Sequence, residues 1–139
     1  MTAPDRLAAE LTRGLDGPHA DEHTSGAADL AAEAVRFLNY ATGTHASAGL
    51  HWPGTVYAVT AGLSLAAGRM PQLYGQLADW LDAERTAGHL GVDDGTDPAG
   101  PVAEAVTGLA EAAALAGQLA RTLAGVQSAL GSVNARGGA

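Results

Sequence analysis

The last third of the chain carries one long apolar seam. Val102, Val106, Leu109, Ala113, Ala116, Ala120, Leu123 and Leu130 recur at alternating steps of four and three residues. That spacing puts every member on one side of an α-helix and is incompatible with a strand, whose faces alternate at every second residue. The pattern predicts a helix from about Pro98 to Asn134, roughly 36 residues and about 54 Å long at 1.5 Å per residue. Leu115, Leu119, Val126 and Val133 widen the seam, while Glu104, Glu111, Gln118, Arg121 and Ser128 fall outside it. Either this helix breaks near Gly117 or Gly125, or its end extends to meet another copy of the chain.

The preceding elements read as shorter helices. Residues 1–22 form a leader, disordered or carrying a short amphipathic helix in "PDRLAAELTR", and residues 23–136 form one helical-bundle domain. Thr24 or Ser25 is a suitable N-cap for a first helix reaching about Thr42. Its inward face would be Ala27, Leu30, Ala34, Phe37, Leu38 and Ala41. Pro53 suits the first position of a second helix, where its missing N–H costs nothing. "GTVYAVTAGLSLAA" has no charged residue, which predicts burial on most sides, and Gly68 with Pro71 should end it. A third helix would start at Pro71, turn Leu73, Leu77, Trp80 and Leu81 inward and close at Gly88. Asp97 and Pro98 make an N-cap and first-position pair for the last. The expected fold is all-α, a four-helix bundle with a long C-terminal helix.

Composition narrows the function classes. About half of the 47% hydrophobic fraction is Ala and only 4% of residues are aromatic, so close helix approach must replace bulky interdigitation. All seven basic residues are Arg and they are scattered. With a net charge of -8, nucleic acid and anionic membrane would repel the chain. The 139 residues include no Cys, which removes thiol catalysis and thiolate metal sites. No apolar stretch reaches the roughly 20 residues of a membrane span, and a cytoplasmic location is expected.

Few residues point to chemistry. "HADEH", His19 to His23, matches the inverted zinc-protease pattern with Glu22 as base. Yet it lies in the leader with no third ligand motif, so His19 and His23 are at most adventitious metal binders, and no metal or cofactor is expected. Asp79, Asp82 and Glu84, then Asp93, Asp94 and Asp97, lack the ligand spacing of a calcium loop. No Ser sits in a nucleophile elbow, and a phosphate loop with Lys is impossible without Lys. An enzyme is therefore not the expected reading. One region stands out: Tyr40, His45, His51, Trp52 and Tyr57 gather in an otherwise aromatic-poor chain. They could line a small pocket or an interface near Trp52, or close the end of the bundle.

Two resemblances are carried by particular residues. Trp52, Pro53 and Gly54 resemble the W-x-G turn of small helical-hairpin dimers secreted by the type VII system. No Tyr follows Tyr74, so the Tyr-x-x-x-Asp/Glu companion of that signature is missing. "AVRFLNYAT", "LHWPGTVYAV" and "AAGRMPQLYGQLADWL" are similar to uncharacterised small Ala-rich helical actinobacterial proteins, some beside conjugative or integrative elements. That likeness rests on Asn39, Trp52, Pro53, Val56, Tyr57, Pro71, Gln72 and Leu73 and implies no activity. The expectation is a non-enzymatic interaction or structural bundle, self-associating as a homo-oligomer or docking another helical protein. The alternatives are a ligand-binding or regulatory bundle with its pocket near Trp52, or a W-x-G-like secreted protein.

Overall fold

The computed structural model describes Ala9, Leu15 and residues 19–43 and 49–136. Most of the leader and His45 lie outside the described residues. Among the described residues there are three helices and no strand: α1 (Asp21–Ala41), α2 (Pro53–Thr86) and α3 (Ala99–Leu130). The chain divides into two compact units, Met1–Leu50 and His51–Ala139. The first holds α1 and the second holds α2 and α3.

In the first unit, α1 begins earlier than Thr24. Thr24 Oγ1 and Ser25 Oγ instead donate back to the carbonyls of Ala20 and Asp21, at 3.3 and 3.1 Å, inside the first turns. Short hydroxyl side chains make this backward bond readily once the helix exists, so both residues are helical rather than capping. Of the expected inward face only Leu30, Leu38 and Ala41 are partly covered; Ala27, Ala34 and Phe37 are exposed, and no residue of α1 is buried. Phe37 is 70% exposed. After the helix the chain comes back at Gly49, where an added Cβ would sit only 2.5 Å from the Ala41 carbonyl oxygen.

The second unit is a hairpin of two long helices packed on each other. Here the sequence expectation of two separate helices over residues 53–88 is overturned: α2 runs 34 residues without interruption, with Pro71 inside it. Proline lacks the N–H that would bond to the Ala67 carbonyl, a local cost that normally ends or kinks a helix. Tertiary packing outweighs it. Val56, Thr60, Ser64, Ala67, Pro71, Tyr74, Ala78 and Leu81 are all half-buried or buried and keep one helical phase through the proline. They face the seam of α3, which repeats without a break from Val102 to Leu130. Among the described residues the expected four helices are thus three, and the long C-terminal helix of 32 residues meets a partner of similar length. Neither Gly117 nor Gly125 breaks it.

The ends of the hairpin follow local rules. Trp52 is the extended residue before α2 and Pro53 takes the first helical position, as expected. Gly88, at φ 79°, reverses the chain after α2. Its N–H bonds to the Arg85 carbonyl and that of His89 to the Glu84 carbonyl, both at 3.0 Å, a double closure that satisfies the last carbonyls. At the start of α3 the Asp97 carboxylate accepts the Ala99 N–H at 2.9 Å, while Pro98 already has helical backbone angles.

Candidate functional site

Burial in the hairpin is distributed unusually by residue size. The buried residues among those described are Ala67, Val102 and Ala116, at 2, 8 and 7% exposure. Between the helices Ser64 Oγ donates to the Ala120 carbonyl at 3.0 Å. An added Cβ on Gly68 would lie 3.8 Å from the Ala120 Cβ. Ser64, Ala67, Gly68, Ala116 and Ala120 thus form a narrow waist where small side chains let the two backbones approach.

Tyr74, Leu81, Leu109, Leu123 and Leu130 lie half-buried in the seam between the helices, and a second set of large apolar side chains stands outside it. Leu63, Leu73, Leu77 and Trp80 of α2 and Leu115, Leu119 and Val126 of α3 are all more than a third exposed. Each stands one residue before a member of the buried seam: Leu63 before Ser64, Leu73 before Tyr74, Leu77 before Ala78, Trp80 before Leu81. On α3, Leu115 precedes Ala116, Leu119 precedes Ala120 and Val126 precedes Gln127. One residue is about 100° of helix rotation, so each helix carries a second apolar seam turned about 100° from the first. Because α2 and α3 run in opposite directions, a step back in sequence rotates both toward the same side of the hairpin. The two second seams therefore form one continuous apolar face, two helices wide.

Leu73, Leu77 and Trp80 were expected inward and point to this face instead; of that expected quartet only Leu81 lies in the buried seam. "GTVYAVTAGLSLAA", expected to be buried on most sides, likewise exposes Ala58, Leu63, Leu65 and Ala66. The signal that locates the face is the seam phase set by Ser64 and Ala67, continued across Pro71. Treating Pro71 as a helix start loses that phase.

The aromatic and histidine group is divided between the two units. Tyr40 belongs to α1, is 73% exposed and lies 6.0 Å from the Arg36 guanidinium. His51, Trp52 and Tyr57 belong to the second unit, where Trp52 is 58% and Tyr57 41% exposed. Neither aromatic closes the end of a core. His19 Nε2 lies 3.1 Å from the Leu15 carbonyl oxygen, and His23 is in the first turn of α1. Among the described residues no group of three or more His, Asp or Glu is placed to hold a metal ion.

The carboxylates serve local geometry. Asp82 pairs with Arg85 at 3.9 Å, and Glu84 Oε2 lies 2.8 Å from His89 Nδ1. The Thr96 hydroxyl donates to Asp94 Oδ1 at 2.6 Å and the Thr96 N–H at 3.0 Å. That hydroxyl first, then the N–H, holds the Asp94 carboxyl below its ordinary value. No described helix is long and apolar enough to cross a membrane. No family model matches the chain, and neither a curated protein nor a solved structure matches it.

Proposed function

We propose that the protein is a non-enzymatic interaction module whose working surface is the second apolar face of the α2–α3 hairpin. The observation that carries this reading is the alignment of Leu63, Leu73, Leu77, Trp80, Leu115, Leu119 and Val126 on one uncovered side. Scattered exposed leucines are ordinary on soluble proteins; a contiguous patch on one face marks an association site. A helical surface is the fitting occupant, because heptad-spaced side chains accept knobs from another helix. The length of α3 does not by itself call for another copy, since α2 matches it in length. The second face replaces it as the reason for association.

Solution mass by light scattering over a concentration series tests this. The native chain is expected to exceed the mass of one copy, and Leu119→Glu to lower that mass with unchanged helicity. Glu at Thr107, an exposed position outside both seams, is the control and should leave the mass unchanged. Equal masses for the native chain and Leu119→Glu, or equal loss from the Thr107→Glu control, would overturn the assignment of this face.

A further inference from the structure

The geometry points to a specific occupant, and this step rests on the reading above: we infer that a second copy of the chain covers the face. Two hairpins stack face to face about a two-fold axis parallel to their helices, with α2 of each copy over α3 of the other.

The angle between the seams is the first argument. A helix at the corner of a square four-helix arrangement has its two neighbours about 90° apart, whereas in a triangular three-helix arrangement they are about 60° apart. Seams about 100° apart suit the square. The occupant must then be a layer two helices wide, and this chain supplies such a layer.

Width leads to the same conclusion. Helices about 10 Å across, with a face from Leu63 to Trp80 about 26 Å long, give a footprint of roughly 500 Å². Two such faces remove on the order of 1,000 Å² from water, the lower bound for a specific interface. A single docked helix would cover about half of that width.

The third argument is self-complementarity, which a two-fold interface requires. The Ser64–Ala120 bond fixes the level of one helix against the other. At about the same level as Leu73, Leu77 and Trp80, the corresponding positions of α3 are Ala112, Gly108 and Ala105. Opposite the large Leu119 stands Ala66. When α2 stacks over a partner's α3, Leu73, Leu77, Trp80 and Leu119 thus meet small residues, while Leu115 comes level with Met70 and Val126 with Val59. An added Cβ on Gly108 would meet nothing within 4 Å, leaving open space there for an incoming side chain. No charged residue occurs in the second seam between Val59 and Trp80 or between Ala105 and Val126, so its middle carries no charge to be desolvated; Asp79, Glu104 and Glu111 stand at its border.

The native chain lacks Cys, which makes crosslinking clean. Chains bearing Ala66→Cys and Leu119→Cys, mixed under mild oxidation, are expected to form a disulfide between unlike chains, while neither forms one alone. Gly108→Leu provides the independent check. It enters open space and favours helix, so the hairpin should keep its helicity while the assembly falls from two copies to one. A chain of single-copy mass at every concentration overturns the inference, as does a Gly108→Leu assembly that keeps two copies. Self-crosslinking of either Cys chain, or no crosslink in the mixture, also overturns this arrangement. If the mass still falls with Leu119→Glu, the face remains an association site and only the stacking is wrong.

Discussion

The two seams of the hairpin differ most in residue size at the middle of the helices. The seam between α2 and α3 buries Ala67 and Ala116 most completely among its small residues, and its hydrogen bond runs from Ser64 to a backbone oxygen. The second seam, about 100° away on the same helices, holds leucines and Trp80 and is open. Small residues bury little area each but bring backbones close. Large residues bury much area but need a surface of matching depth. The chain thus leaves Leu73, Leu77, Trp80, Leu115 and Leu119 more than a third exposed beside a seam whose middle is built from small residues.

The largest effect should come from disturbing the narrow seam. Ala67→Leu forces three extra carbons into a site 2% exposed, between backbones already close. Overpacking of this kind costs about 1–3 kcal/mol. Chemical denaturation of the hairpin should therefore show a lower midpoint with an unchanged slope. A neutral result would mean that the waist has slack, and the contrast between the seams would weaken.

Ser64→Ala sharpens the same point at smaller scale. It removes the Oγ donor to the Ala120 carbonyl, a bond whose net contribution is about 0.5–1.5 kcal/mol. Ala is also the better helix former, so the observed loss should fall at the low end of that range. A gain in stability would assign the serine no anchoring role.

On the open seam the expectation reverses. Leu77→Gln should change the stability of a dilute single copy by no more than about 0.5 kcal/mol, as for other exposed positions. It should still weaken association measured by light scattering at higher concentration. If Leu77→Gln destabilises the single copy as much as Ala67→Leu does, the face is buried within one chain and the distinction between the seams fails.

Much of this was legible in the sequence. The four-and-three steps from Val102 to Leu130 identify α3 and its inner face without any structure. Pro53, Gly88 and Asp97 mark ends because their effects are local: a missing N–H, a positive φ and a carboxylate acceptor. Pro71 misleads for the same reason. Its local cost is real, but the outcome is decided by a packing partner far along the chain, which a local reading of residues 68–71 does not contain. The open face was hidden by that error. Leu73, Leu77 and Trp80 do form a helical stripe, and only the phase inherited from Ser64 and Ala67 shows that it is the second one. The Trp52–Tyr57 group stands out by rarity of residue type, whereas the exposed apolar face of the hairpin is built from common leucines.

The smallest effect concerns the turn that joins the seams. Asp94 is fully exposed, and its carboxyl is held below its ordinary value chiefly by the Thr96 hydroxyl and also by the Thr96 N–H. A carboxyl with a depressed value in the folded chain favours folding when ionised. Its contribution is present above the unfolded value and is lost as pH falls through the folded one. The pH window therefore lies at and below the ordinary range for Asp, well under neutrality. Thr96→Ala removes the hydroxyl and should flatten that acid-side decline slightly, leaving stability at neutral pH a little lower. Denaturation midpoints measured from neutral to acid pH would show it. Because the turn lies outside both seams, the solution mass at neutral pH should not change with Thr96→Ala; a change would tie association to hairpin closure instead of to the open face.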